Sequence, residues 1–134
     1  MKLALITSAA AGTTVLFASL LIAAPAQAAP GACNAGQGCT YEDINYGRGH
    51  INFNYNVSHY GSIAYWVPTL HLGTDNAASS AFNNGRTGQA IVVYDRSGYK
   101  GKSASIARGS GLSNLGSRGL NDMVTSACFS SYCK

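Results

Sequence analysis

The strongest constraint on how this chain can fold is that part of it occurs twice. Tyr41-Glu-Asp-Ile-Asn-Tyr46-Gly-Arg-Gly49 recurs 53 residues later as Tyr94-Asp-Arg-Ser-Gly-Tyr99-Lys-Gly101. Downstream of each copy, Asp75-Asn76-Ala-Ala-Ser79-Ser80 is matched by Asn121-Asp122-Met-Val-Thr125-Ser126. Either match alone could arise by chance, but two element types recurring in the same order define a duplicated unit of about fifty residues.

Each unit reads as strands. His50-Ile51-Asn52-Phe53-Asn54-Tyr55 alternates polar and apolar, the period of a half-buried strand, and Ala90-Ile91-Val92-Val93-Tyr94 suits a central one. With many glycines and few long amphipathic stretches, the composition is that of an all-β protein. The order within a unit is an aromatic strand, a turn, a second strand, a long arch, and a last strand opened by hydroxyl residues, which is a Greek key. Tyr41 to Asp75 spans 34 residues and Tyr94 to Asn121 only 27, so the first arch is longer by about seven. The excess falls within residues 56–74, which also hold Tyr60, Tyr65, Trp66 and Pro68. Two readings of this arch stay open: a plug over one end of the core, or a binding loop.

Met1-Lys2 followed by a nearly charge-free run from Leu3 to Ala24 and by Ala26-Gln27-Ala28 reads as an export signal, residues 1–28, cleaved before Ala29. Cleavage would leave 106 residues, 29–134, enough for one domain and no membrane anchor. Eight Lys and Arg against five acids give that part a charge near +3, and their scatter argues against nucleic-acid binding. Cys33, Cys39, Cys128 and Cys133 all lie in the exported part, where two disulfides are expected. Their spacing does not suit a zinc ribbon.

An aromatic residue, four residues, Tyr, any residue, then Gly, followed later by Asn/Asp-Asn/Asp-x-x-Ser/Thr-Ser, resembles the βγ-crystallin Greek key in its microbial, calcium-binding form. The resemblance covers Cys39 to Phe129 and implies a single βγ-crystallin-like β-sandwich of two Greek keys, about 39–84 and about 89–129. In that family the Gly takes a positive φ that folds the hairpin over the sheet, a conformation cheap only without a Cβ. Gly101 fits, but the first unit has Arg48 there, between Gly47 and Gly49, so its hairpin is expected to be distorted or shifted by one residue. Ser80 and Ser126 resemble the family's structural serine. The resemblance also implies two calcium sites, one from Ser79 with Asp122 and one from Thr125 with Asn76, with Glu42 and Asp95 lending main-chain oxygens. Such oxygens suit a hard cation, although Asp, Asn, Ser and Thr also cap turns without an ion.

No nucleophile elbow, zinc-peptidase helix or phosphate loop occurs, and His50, His59 and His71 have no partner at suggestive spacing, so the chain is expected not to be an enzyme. The resemblance extends to small secreted microbial metalloproteinase inhibitors with a single crystallin-type unit and two short-range disulfides, whose opening element Cys33 to Cys39 resembles. An extracellular peptidase is the implied partner; the other class is a calcium-stabilised structural, stress or antagonism protein. Local pairing, Cys33 with Cys39 and Cys128 with Cys133, would close two short loops, whereas Cys33–Cys133 with Cys39–Cys128 would join the ends of the domain. Thermolysin-type enzymes favour a bulky apolar side chain just after the scissile bond, which makes Cys128-Phe129 the candidate reactive bond. The competing role for Phe129 is to fill the core.

Overall fold

A computed structural model describes residues 27–134; residues 1–26, with most of the expected export signal, lie outside the described residues. The first unit contributes β1 (Gln37–Tyr41), β2 (His50–Phe53), β3 (Asn56–Val57) and β4 (Ser80–Asn84). The second contributes β5 (Ile91–Arg96), β6 (Lys100–Ile106), β7 (Gly111–Leu112) and β8 (Ser126–Phe129). All pairings between these strands are antiparallel, and among the described residues the only helical pieces are short 3-10 turns.

The strands form two four-stranded sheets in the orders β2-β1-β4-β7 and β3-β8-β5-β6. The third strand of each unit therefore leaves its own sheet for the other: β3 pairs with β8, and β7 with β4. Each sheet contains three strands of one unit and one of the other, so neither unit can complete its sheet alone. This is an all-β sandwich of two interlocked Greek keys.

Register decides which residues face inward. Gly38 lies opposite Phe53 and Thr40 opposite Ile51, while Thr40 also lies opposite Ala81. These residues face Ile91 and Val93 of β5, Ala104 and Ile106 of β6, and Ala127 and Phe129 of β8 in one apolar cluster. Gly38 is needed because a Cβ there would meet the Phe53 ring and the Ile91 side chain. Asn83 is fully buried but satisfied: its amide donates to the carbonyls of Gln89 and Ile106 at 3.0 and 2.9 Å and accepts from Gly85 N–H at 2.9 Å.

The other face of β1 is covered too. Cys39 and Tyr41 pack with Phe82, Cys33 and Tyr46 in a second cluster, so β1 is buried on both sides. The disulfides are Cys33–Cys39 and Cys128–Cys133, with Cα separations of 5.9 and 5.3 Å. Both are local, and neither joins the two sheets.

Candidate functional site

The two hairpins repeat one backbone path. Asn45, Tyr46 and Arg48 have φ of 56, 62 and 58°, and the residues 53 positions later, Gly98, Tyr99 and Gly101, have 66, 60 and 82°. Arg48 thus adopts the left-handed conformation itself, and the expected shift of the first hairpin does not occur. Ser80 Oγ donates to the Asp43 carbonyl at 2.6 Å and accepts from Tyr46 N–H at 3.0 Å. Ser126 Oγ donates to the Arg96 carbonyl at 2.6 Å and accepts from Tyr99 N–H at 3.1 Å. Each serine belongs to the last strand of its unit and holds the folded hairpin of the same unit.

The adjacent hydroxyls reach across the units. Ser79 Oγ donates to Asp122 Oδ1 at 3.2 Å, and Thr125 Oγ1 donates to Asn76 Oδ1 at 3.0 Å. Asn76 and Asp122 both have left-handed backbones, φ 56 and 52°. The amide of Ser79 donates to the Tyr41 carbonyl and that of Thr125 to the Tyr94 carbonyl, each at 2.8 Å; Glu42 and Asp95 are the next residues along the chain from these two carbonyls. These are the two residue pairs that the crystallin resemblance implies, Ser79 with Asp122 and Thr125 with Asn76, and in the structure each is a direct hydrogen bond. Among the described residues no three His, Cys, Asp or Glu side chains converge, so a cation here would depend on the single Asp122 carboxylate together with hydroxyl, amide and main-chain oxygens. Two oxygens about 3 Å apart can share an ion bound at about 2.3–2.6 Å, and each pair would supply two of the six to eight oxygens that calcium takes.

The candidate reactive bond Cys128–Phe129 requires correction. It lies inside β8, between β3 and β5, and Phe129 N–H donates to the Tyr55 carbonyl at 2.8 Å. Phe129 is 4% exposed and packs edge-on against Phe53, with ring centroids 5.8 Å apart. A peptidase could reach this bond only after β8 had left its sheet. Phe129 is a core residue, and the following disulfide holds the chain end.

The arch divides its large apolar side chains between the interior and the surface. Tyr60 and Trp66 are buried to 0 and 1% exposure, and Tyr60 Oη lies 2.8 Å from Thr40 Oγ1 in a buried hydrogen bond. Burial drives the Tyr60 phenol far above its ordinary pKa and, with neighbouring Tyr46 second, raises that of Tyr41 to about 12; both remain neutral phenols. Tyr65, Val67, Leu70 and Leu72 point outward instead.

The arch is tied down along its length. Val67 and His50 exchange main-chain hydrogen bonds at 2.7 and 3.1 Å, Trp66 N–H donates to the His71 carbonyl at 2.9 Å, and Thr74 Oγ1 bonds to the carbonyls of Tyr60 and Ile63 at 2.8 Å. Glu42 supplies a side-chain brace: Oε1 meets His71 Nδ1 at 2.8 Å and Arg48 at 3.7 Å, and Oε2 accepts from Gly49 N–H at 3.3 Å and Thr69 Oγ1 at 3.5 Å. Burial alone would raise the Glu42 carboxyl. The hydrogen bonds from His71 and Gly49 and the Arg48 charge outweigh it, and the carboxyl sits below its ordinary range. From sequence alone Glu42 has only a main-chain role by resemblance, and His71 has no partner at suggestive spacing. No spacing signal joins residues 29 positions apart.

The sequence matches the model of peptidase inhibitor family I36 over residues 26–106, which takes in the first unit, the arch and the β5–β6 hairpin. The chain belongs to this family. No curated protein matches it. Among solved structures it is similar to one from work on the evolution of the eye-lens βγ-crystallin domain fold, with TM-score 0.61 and 18% identity over 75% of this chain and 91% of that one. A βγ-crystallin from Ciona intestinalis gives TM-score 0.54 and 20% identity over 70% and 99%. A βγ-crystallin from an archaeon gives 0.52 and 18% over 72% and 99%. At these identities the likeness establishes the fold. The protein is a crystallin-fold peptidase inhibitor of family I36, and it is not an enzyme.

Proposed function

We propose that this chain is exported, loses residues 1–28, and inhibits an extracellular metallopeptidase of the thermolysin type. The observation that carries the reading is the family I36 match over residues 26–106. Two disulfides suit an oxidising compartment. Inhibition needs a surface that docks without ordering itself first, because each side chain or loop frozen on binding subtracts from affinity. An arch fixed by hydrogen bonds on a packed β-sandwich meets that need.

The test is to titrate the purified 29–134 domain into a thermolysin-type peptidase and follow hydrolysis of a short peptide substrate, with a serine peptidase in parallel. Stoichiometric loss of metallopeptidase activity is expected, with the serine enzyme unaffected. Full metallopeptidase activity at micromolar excess of the domain would sink the proposal. Sequencing the N-terminus of protein recovered from culture supernatant should give Ala29, and a chain beginning at Met1 would remove the export step.

A calcium-stabilised structural, stress or antagonism role is the second reading. The pairing of Ser79 with Asp122 and of Thr125 with Asn76 favours it. Those four side chains would hold the ions, with main-chain oxygens of Glu42 and Asp95. Bound calcium would replace the two direct hydrogen bonds and tie the units together. The readings are compatible: calcium binding without inhibition would leave the second alone.

A further inference from the structure

We infer that the segment 63–72 of the arch is the element that contacts the peptidase, and that Leu72 is the side chain inserted into the enzyme's apolar pocket. The inference rests on the inhibitor reading above.

Of the eight large apolar side chains exposed on the described residues, four belong to this short segment: Tyr65 at 44%, Val67 at 47%, Leu70 at 64% and Leu72 at 79%. Isolated exposed apolar residues are ordinary, but a cluster of them marks an interaction surface. The exposure is not that of a loose loop. Trp66 is buried between Tyr65 and Val67, and the hydrogen bonds to His50 and Thr74, with the Glu42–His71 pair, fix the segment at both ends. Tyr65 and Val67, with Ile63, line a shallow depression against His50 and Ile51, while Leu70 and Leu72 are the most exposed side chains of the segment and are free to enter an apolar cleft.

Backbone conformation separates the two leucines. Leu70 is left-handed, with φ 57°, a shape that cannot lie extended along a cleft. Leu72 is not among the left-handed residues, is the more exposed of the two, and follows directly on His71, whose carbonyl and imidazole are both held. Gly73, at φ 80°, then turns the chain away. Leu72 is therefore a bulky apolar side chain presented just after a fixed residue, which is the arrangement a thermolysin-type enzyme favours around a bond it attacks.

The experiment measures inhibition of thermolysin by the wild-type 29–134 domain and by Leu72→Gly, Leu72→Phe and Tyr55→Gly, with a thermal melt of each. Tyr55 is an exposed apolar control outside the arch, stacked on Tyr132. Leu72→Gly should weaken inhibition by at least about thirtyfold, the size of a hot-spot truncation, with an unchanged melt. Leu72→Phe and Tyr55→Gly should inhibit like the wild type. Wild-type inhibition retained by Leu72→Gly overturns the inference and leaves the inhibitor reading standing. A wild-type domain that does not inhibit removes the reading and the inference together. A self-association that Leu72→Gly abolishes while inhibition is kept would make a second copy the occupant of this surface, and overturns the inference as well.

Discussion

Ser80 and Ser126 each join a carbonyl and an amide of a hairpin that would otherwise fold over the sheet with both groups unpaired. Both serines are fully buried, so water cannot replace the hydroxyl. Replacing either by Ala should cost about 1–3 kcal/mol, the usual penalty for leaving buried polar groups without partners, read as a shift of the denaturant midpoint with an unchanged slope. A loss below about 0.5 kcal/mol would mean that the hairpins are held by something else. Gly101 and Arg48 show the same position under two solutions. At Gly101 a Cβ would collide with the Asp95 carboxylate, which caps Lys102 N–H at 2.8 Å. Gly101→Ala should therefore cost at least the 1–2 kcal/mol or so of a left-handed non-glycine residue. At Arg48 the strain is tolerated, and the guanidinium reaches Glu42, Asp43 and His71.

Between the second and third strands of a unit on one side and its last strand on the other, the arch is the element in which the two units differ, and its brace is ionic. The Glu42 carboxyl is held below its ordinary value of 4.5. A depressed carboxyl stabilises the fold fully above the unfolded-state pKa and loses that contribution as pH falls through the folded-state value. The arch should accordingly loosen below about pH 4.5. Glu42→Gln should lower stability at pH 7 by no more than about 1 kcal/mol, since the brace is partly open to solvent, and the gap from wild type should narrow by pH 3. A gap that widens on acidification would assign the carboxyl the opposite role. The paired oxygens at the ends of β4 and β8 carry a second expectation. On the calcium reading proposed above, binding should be weak, with Kd of about 10⁻⁵ to 10⁻³ M, the range of extracellular calcium modules. The site with the Asp122 carboxylate should be tighter than the site with the neutral Asn76 amide. Titration calorimetry of wild type, Asp122→Ala and Asn76→Ala checks this, and equal calcium heats for the two variants would refute the ranking.

For the molecule as a whole, the duplication carried most of the information. Two copies of an aromatic hairpin and of a hydroxyl signature define which residues fold together, and Ser80, Ser126, Ser79 and Thr125 lie where those patterns place them. What stayed illegible depends on register and long-range approach. Phe129 beside a cysteine reads equally as a core residue or an exposed anchor until it is placed opposite Ile91, and nothing local brings His71 to Glu42. The disulfides give the last prediction, because their placement separates local from global support. Each closes a loop of five or six residues, for which loss of unfolded-state entropy gives about 2 kcal/mol. Neither crosses between the sheets, so the apolar cluster joining β2, β5, β6 and β8 should hold the sandwich together without them. The two differ in what surrounds them. Cys33 and Cys39 are both buried against Tyr41 and Phe82, whereas Cys133 is only half-buried at the chain end. Replacing Cys33 and Cys39 by Ala should therefore remove packing as well as the constraint, and cost more than replacing Cys128 and Cys133. Denaturant melts of both double variants should show folded, cooperative proteins, the first less stable than the second. An unfolded product from either pair, or the reverse order, would show that the bridges support the sandwich as a whole.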